Sequence, residues 1–192
     1  MTPGRAEAVA VGASAGALEA LSAILPGLPA DYPLPVFVVV HLPPDRESLM
    51  ARLLQDSCRI KIREAEDKEA IEPGTVYVAP PDYHLLIEPD RRLSLSSEEP
   101  VLFSRPSIDV MFETAAEAYG PGLVGVVLTG ANSDGARGLR AIRAAGGSGL
   151  VQRPDAATAS AMPRAALEAC PDALALTLQE IAEHLRGMVA SR

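Results

Sequence analysis

Three residues of this sequence carry the side chains that nucleophilic hydrolysis of an ester or amide needs. Ser14 supplies a hydroxyl, His41 an imidazole and Asp134 a carboxylate. A serine hydroxyl is a weak nucleophile unless a neighbouring imidazole takes its proton. A carboxylate can hold that imidazole in the required tautomer and stabilise its protonated form. Together the three residue types indicate a serine hydrolase, provided that the fold brings them to one place.

Ser14 lies in Gly12-Ala-Ser-Ala-Gly16, which matches the G-x-S-x-G pattern of a strand-to-helix nucleophile turn. The apolar residues 8–11 predict a buried strand, and the helix expected after Gly16 would offer free N–H groups to developing negative charge. Two other interpretations stay open. Ser14 could simply cap the next helix. A dinucleotide-binding loop is less favoured, because Ser14 and Ala17 stand where its pattern requires glycines.

His41 and Asp134 each follow a predicted buried strand. The run Val36–Val40 ends at His41, and the loop containing Asp134 follows the apolar residues 123–128. Ligands of an open parallel sheet bind beyond the carboxyl ends of its strands, so we expect both side chains near Ser14. Structural alternatives remain for each: a strand-end histidine bonded to backbone, and a helix N-cap.

Two further histidines are weaker candidates for the base. His84 lies next to a predicted hairpin turn, and His184 lies on the closing amphipathic helix. The chain order Ser, His, Asp differs from the order Ser, Asp or Glu, His of α/β-hydrolases, so that topology is not expected.

Alternating strands and helices predict an α/β fold: a doubly wound, mostly parallel Rossmann-like sheet with an antiparallel edge hairpin. The closely spaced strands between residues 75 and 95 predict an antiparallel excursion at a sheet edge, and the acidic residues 64–69 predict a solvated face. The first helix is expected to dock on the sheet through Leu18, Leu21, Leu25 and Leu28. The expected strands are 8–11, 36–40, 75–79, 84–87, 93–95, 123–128, 148–151 and 173–176, and the expected helices 17–28, 47–56, 108–119, 136–145, one from 162, and 178–189.

Length and composition narrow the class of protein. The 192 residues predict one domain, 1–192, and the net charge of −8 argues against a nucleic-acid partner. No apolar run approaches the ~18 residues of a membrane span. The isolated cysteines Cys58 and Cys170, and the lack of a signal-peptide pattern, predict a reducing, cytoplasmic location. No His, Cys or Asp spacing resembles a metal site, so no metal is expected.

With these features in hand, the sequence resembles the catalytic domain of the CheB family of chemotaxis protein-glutamate methylesterases. The resemblance covers nearly the whole chain and rests on six blocks that occur in the family's order. They are Val11-Gly-Ala-Ser-Ala-Gly16 with Leu18-Glu-Ala-Leu21, Val38-Val-Val-His-Leu-Pro43, Gly74-Thr-Val-Tyr-Val-Ala-Pro-Pro-Asp-Tyr-His84, Ser104-Arg-Pro-Ser-Ile-Asp-Val-Met-Phe112, Leu128-Thr-Gly130 with Asp134-Gly-Ala136, and Met162-Pro-Arg-Ala-Ala166.

The resemblance implies a protein-glutamate methylesterase with a Ser-His-Asp triad of Ser14, His41 and Asp134. Such an enzyme hydrolyses glutamyl methyl esters on the cytoplasmic helices of chemoreceptors, releases methanol, can deamidate certain receptor glutamines and needs no cofactor. Backbone N–H groups near Ala15 and Ala131 would hold the oxyanion. His84 is expected near the cleft in a structural role.

Regulated members of the family carry an N-terminal receiver domain, whereas about seven residues precede the first predicted strand here. We therefore expect no receiver domain in this chain and take a receiver domain acting in trans as a candidate partner. Whether the chain is a stand-alone relative or an excised domain stays open.

The sequence departs from the family pattern next to two of the three site residues. Ala15-Gly16-Ala17 replaces a frequent Thr-Gly-Gly, and Ala131-Asn132-Ser133 replaces a frequent Met-Gly-Asn. Two alternatives follow. One is an esterase or amidase of the same fold with another substrate, and the other is a catalytically silent module that binds the receptor.

Overall fold

A seven-stranded parallel sheet forms the centre of the structure, a computed structural model that describes residues 5–41 and 49–188. Its strand order is β3-β4-β2-β1-β7-β8-β9, so β1, which leads into Ser14, is the middle strand. The continuous burial of β1, β2, β4 and β7 is typical of parallel strands covered on both faces. The strands of this sheet are β1 Ala8–Ala13, β2 Val36–Val40, β3 Lys61–Glu64, β4 Thr75–Val78, β7 Leu123–Val127, β8 Ser148–Gln152 and β9 Leu174–Leu176, and β5 His84–Ile87 and β6 Leu93–Ser96 form a separate sheet.

Helices cover both faces of the sheet and separate two hydrophobic cores. On one face α1, α2 and α6 pack on the odd positions of β1, such as Val9 and Val11. On the other face α3, α4, α5 and the small β5–β6 sheet pack on the even positions, such as Ala8 and Ala10. The helices are α1 Ala17–Ile24, α2 Met50–Gln55, α3 Ile108–Tyr119, α4 Ala136–Ala144, α5 Ala161–Ala169 and α6 Leu178–Gly187.

The register of β1 with its neighbours brings the ends of three strands together. Ala13 pairs with Val40 of β2, and Gly12 pairs with Val127 of β7. Backbone bonds continue beyond the strands, because the N–H of His41 donates to Ala13 and the N–H of Ser14 donates to Thr129. Ser14 therefore lies beside His41, at the ~4.8 Å spacing of adjacent strands.

For the middle of the chain, one prediction was wrong and one strand was not predicted. Residues 75–78 were expected in the antiparallel excursion, but β4 lies inside the main sheet and pairs in parallel with both β2 and β3. Strand β3, whose residues Lys61–Glu64 overlap the acidic cluster expected to be a solvated face, was not predicted. Among the strands of the described residues, β5 and β6 alone pair antiparallel, and they form a separate two-stranded sheet.

Three of the four leucines expected to dock the first helix, Leu21, Leu25 and Leu28, are buried, and the prediction was wrong only for Leu18. Leu18 is 41% exposed, whereas Ala17, Ala20, Leu21 and Ile24 are buried. Small alanines allow this helix to lie close to the sheet, and the i, i+3, i+4, i+7 spacing fits the buried stripe.

The helix predicted over 47–56 begins at Met50, and residues 47–48 lie outside the described part of the chain. No helix among residues 5–41 and 49–188 is long and apolar enough to cross a membrane.

Candidate active site

The turn after β1 presents Ser14 at the carboxyl edge of the sheet. Gly16, with φ +84°, caps α1 in a left-handed conformation, and no side chain caps this helix. A Cβ at Gly16 would lie 2.8 Å from Thr158 Cβ, so the turn requires glycine for both its backbone angle and its packing. Ser14 is half-buried, and it is not the helix cap that one sequence interpretation allowed.

Thr129 holds this turn from the next strand. Its carbonyl accepts the N–H of Ser14, and its hydroxyl donates to the carbonyl of Ala15 at 2.7 Å. The same hydroxyl accepts from the N–H of Ala159 at 2.9 Å. These bonds fix the backbone on both sides of the serine Oγ, so its position is set by the sheet and the β7 loop.

His41 and Asp134 meet at the carboxyl edge of the same sheet. The Nε2 of His41 lies 2.7 Å from Oδ2 of Asp134, and their side chains are 12% and 0% exposed, respectively. The distance is that of a charge-assisted hydrogen bond from a ring N–H to a carboxylate. The structure thus brings His41 and Asp134 together, while their catalytic role with Ser14 stays a prediction.

The N-terminus of helix α3 surrounds the Asp134 carboxylate with donors. The N–H of Ile108 donates to Oδ2 at 2.7 Å, and the N–H of Asp109 donates to Oδ1 at 2.9 Å. The Ser107 hydroxyl adds a third bond, to Oδ1 at 3.0 Å. Helix N-termini favour negative charge, so this buried carboxylate is kept ionised.

The pKa of Asp134 follows from these opposing effects. Burial acts to raise the pKa, but the hydrogen bonds from His41 and from the N–H groups of Asp109 and Ile108 outweigh it and hold the pKa below its ordinary value. An ionised Asp134 can orient the imidazole and stabilise its protonated form.

Asp109 repeats the arrangement in the opposite direction. Its Oδ1 accepts from the N–H of Gly135 at 3.0 Å and of Gly138 at 2.7 Å, which are the N-cap and an early residue of α4. Burial raises the pKa of Asp109, with Asp134 adding to the rise, while the bonds from Gly138 and Gly135 oppose it. Asp134 therefore accepts from the N-terminus of α3, which contains Asp109, and Asp109 accepts from the N-terminus of α4, which follows Asp134. We call this pair the reciprocal caps, Asp109 and Asp134.

His84 lies behind the site as a structural residue. Its Nδ1 accepts the N–H of Ser107 at 3.1 Å, and its Nε2 lies 3.0 Å from the carbonyl of Glu99. Both ring nitrogens of this buried histidine are thus occupied, one as acceptor and one as donor. His84 supports Ser107, which in turn contacts Asp134, as the resemblance implied for a structural residue near the cleft. His184 is exposed on α6.

Sequence reasoning missed the contacts that link distant parts of the chain at this site. Asp109 was noted only as part of a family block, and Asn132 only as a departure from the family pattern. Ser107 is the N-cap of α3, and its bond to Asp134 was not foreseen. Within the described ranges, no group of three or more His, Cys, Asp or Glu side chains is placed to hold a metal ion.

Comparison with known proteins identifies the family. A family model described as CheB methylesterase matches residues 9–185. The chain belongs to this CheB methylesterase family. The family predicted from the sequence is thereby confirmed, and so is the mostly parallel α/β fold class.

Relatives of the CheB family cover this chain to different extents. A putative protein-glutamate methylesterase/protein-glutamine glutaminase of Leptospira interrogans is 51% identical over 177 residues, 92% of each chain. A protein of Archaeoglobus fulgidus named protein-glutamate methylesterase/protein-glutamine glutaminase is 39% identical over 163 residues, 83% of this chain and 47% of its own. The crystal structure of the Thermotoga maritima CheB methylesterase catalytic domain superimposes with a TM-score of 0.91 and 30% identity, covering 96% of this chain and 99% of that one.

Proposed function

We propose that this chain is a serine hydrolase that removes methyl groups from glutamyl methyl esters on chemoreceptor signalling helices. The observation that carries the proposal is the 2.7 Å bond between His41 Nε2 and Asp134 Oδ2, beside Ser14 on the adjacent strand. The names of the Leptospira and Archaeoglobus relatives support the reaction class and a glutamate side chain of a protein as the substrate.

The reaction begins with attack by Ser14. Because Nε2 of His41 donates to Asp134, Nδ1 is the nitrogen that carries the basic lone pair, and it takes the Ser14 proton as Oγ bonds to the ester carbon. The C–OCH₃ bond then breaks, and His41 returns the proton to the leaving oxygen as methanol. His41 next deprotonates water, which attacks the acyl-enzyme and frees the glutamate while Oγ regains a proton.

Two backbone N–H groups are available for the oxyanion. Within the described part of the chain, the N–H groups of Ala15 and Ala131 donate to no protein acceptor. Ala15 directly follows the nucleophile, and Ala131 lies in the loop that carries Asp134. Donors of this kind stabilise a tetrahedral intermediate, and losing one costs about 10²–10³ in kcat. A backbone donor does not depend on its side chain, so the two alanines can serve.

The same site supports deamidation of glutamine. Ser14 would attack the side-chain amide, and the protonated His41 would hand its proton to the departing nitrogen, so that ammonia leaves in place of methanol. Both curated relatives carry glutaminase in their names, which supports this second activity.

An exposed apolar turn beside the site supports a protein substrate. Leu102 and Phe103 form the tip of a two-residue turn closed by bonds between Val101 and Ser104 at 3.0 and 2.9 Å. Phe103 is fully exposed and Leu102 is 49% exposed. The turn lies a few residues before Ser107, which binds Asp134, so a helical substrate over the site would meet it. Arg105 braces the turn through its bonds to Asp82.

The proposal is tested by methanol release from methylated receptor cytoplasmic fragments, with wild-type protein and Ser14→Ala. We expect release by the wild type and a loss on the order of 10⁶ in kcat for the variant. Release that survives in Ser14→Ala would exclude the serine mechanism. A folded wild type that binds the fragments without releasing methanol would indicate a silent module, and one that neither binds nor releases would indicate another substrate.

A cytoplasmic location is consistent with the proposed substrate and stays a prediction. The single-domain organisation of residues 1–192 and a receiver domain acting in trans stay predictions as well.

A further inference from the structure

The side-chain amide of Asn132 has an orientation that its surroundings fix. Its Oδ1 accepts the N–H of Asp134 at 3.1 Å. The other end of the amide, the NH₂ group, therefore points the opposite way, toward Nδ1 of His41 at 3.4 Å. An NH₂ group only donates, so Nδ1 faces it as an acceptor.

Both nitrogens of the His41 ring are thus engaged by a single loop. Asp134 accepts from Nε2, and Asn132 donates toward Nδ1. Nδ1 is also the atom that must receive the Ser14 proton in the proposed mechanism. Within residues 5–41 and 49–188 the Ser14 hydroxyl makes no hydrogen bond. The resting site therefore pairs the basic lone pair with Asn132 rather than with the nucleophile.

We propose that Asn132 is a positioning residue that keeps Nδ1 of His41 unprotonated in the resting site and yields it to the Ser14 hydroxyl when substrate binds. The inference rests on the proposed function for its catalytic consequence. The distance of 3.4 Å between Nδ2 of Asn132 and Nδ1 of His41 is longer than that of a strong hydrogen bond. Exchanging Asn132 for the Ser14 hydroxyl as the partner of Nδ1 therefore costs little free energy. Asn132 lies in the loop where the sequence departs from the frequent family pattern, which has glycine at this position. The contact with His41 therefore depends on a residue that the frequent pattern lacks.

Asn132→Asp tests the polarity of the contact. The new carboxylate has nearly the same shape and can still accept the N–H of Asp134, but it offers His41 an acceptor in place of a donor. With Asp134 already accepting from Nε2, the ring then takes a second proton on Nδ1 and has no lone pair left for Ser14. We expect a loss of at least about 100-fold in kcat at neutral pH, with an unchanged melting temperature, relative to wild type.

Asn132→Ala distinguishes positioning from a purely structural role. The alanine removes both bonds but adds no acceptor, so Asp134 alone still holds Nε2–H, and we expect a loss of no more than about tenfold. If Asn132 only supported the loop, the order would reverse, because the aspartate keeps the bond to Asp134 and the alanine does not. Ser133→Ala, an exposed neighbour in the same loop, is the matched control and should behave as wild type.

Nitrogen NMR of ¹⁵N-histidine-labelled protein reads the ring directly, without turnover. We expect an acceptor-type Nδ1 for His41 in wild type and Asn132→Ala, and a protonated Nδ1 in Asn132→Asp at the same pH. A wild-type spectrum with the proton on Nδ1, or Asn132→Asp with both a wild-type spectrum and wild-type kcat, would overturn the inference. If the wild type releases no methanol but the spectra behave as expected, the proposed function fails while the assignment of Asn132 stands.

Discussion

Asp134 serves both the proposed catalysis and the stability of the fold. Its carboxylate accepts from the His41 ring and from the N-terminus of α3 at the same time. We expect Asp134→Asn to lower kcat for ester hydrolysis by about 10⁴, because the amide cannot hold the imidazole in the required tautomer. The measurement is kcat on methylated receptor fragments for both proteins. A loss of less than tenfold would show that His41 does not depend on this partner.

The lowered pKa of Asp134 also makes folding stability depend on pH. In an unfolded chain the carboxyl titrates at about pH 3.9, whereas in the folded protein it stays ionised to lower pH. Its contribution is fully present above the unfolded value and is lost as pH falls through the folded value. In urea titrations the gap in unfolding free energy between wild type and Asp134→Asn should narrow below about pH 4. A gap that widens on acidification would contradict the lowered pKa.

At the scale of elements, the reciprocal caps couple helices α3 and α4. Asp109→Ala leaves the buried N–H of Gly138 without its acceptor, whereas the N–H of Gly135 keeps its second acceptor, Asp134 Oδ1. We expect a loss of about 1–3 kcal/mol in unfolding free energy, measured by urea unfolding, together with reduced kcat because the loop carrying Asp134 shifts.

Glu113→Ala is the matched control for Asp109→Ala. Glu113 lies on the same helix and pairs with Arg137 on α4, but this ion pair is on the surface, with the two side chains 37% and 56% exposed. Exposed pairs contribute about 0–1 kcal/mol, so the control should be close to wild type. Equal losses in the two variants would mean that the caps add nothing beyond surface charge.

The contact between β1 and α3 fixes how near the nucleophile strand lies to the carboxylate. A Cβ at Gly12 would be 2.3 Å from Ile108 Cγ2, so Gly12→Ala must push α3 away from β1. We expect a loss of about 1–3 kcal/mol in unfolding free energy and a fall in kcat. Adding Ile108→Ala should make the double variant less destabilised than the sum of the two single changes. Gly187→Ala, with no atom within 4 Å of the new Cβ, is the neutral control.

At the scale of the whole molecule, local sequence patterns predicted which helices and strands form better than they predicted which strands pair. Val36–Val40 and Ile108–Tyr119 have the predicted bounds, because a buried β-branched run and a capped amphipathic stretch are strong local signals. Strand β3 was missed because its signal is short: only the buried Ile60 and Ile62 alternate with the charged Lys61 and Arg63. The parallel pairing of β4 depends on partners far along the chain, and spacing carries no information about them.

The same distinction applies to the candidate site. Ser14, His41 and Asp134 could be predicted because each follows a strand that sequence pattern reveals, and strand ends of a parallel sheet share one edge. The contacts of Asp109 and Asn132 could not, since they depend on how two loops face each other across the site. Leu18 was misplaced because the helix buries Ala17 and Ala20 instead, and hydropathy alone understates the burial of alanine.

The separation of the apolar turn from the catalytic groups predicts that docking and chemistry can be changed independently. We expect Phe103→Ser to lower kcat/KM at least about tenfold on methylated receptor fragments, as for an exposed aromatic anchor, while hydrolysis of a small ester is unchanged. Leu174→Ser, at a half-exposed apolar residue at the start of β9, is the control and should leave both rates intact. Equal effects of Phe103→Ser on the two substrates would place the turn outside the docking surface.

The reciprocal caps also affect which site residues could be replaced if a lineage of such proteins lost its catalytic function. A lineage released from selection for catalysis can exchange Ser14 freely, because its hydroxyl supports nothing else in the described fold. It cannot exchange Asp134 so easily, because helix α3 would lose the acceptor of its first N–H groups. Persistence of this aspartate across distant sequences therefore reports on foldability, and only persistence of the serine and the histidine reports that the chemistry is still in use.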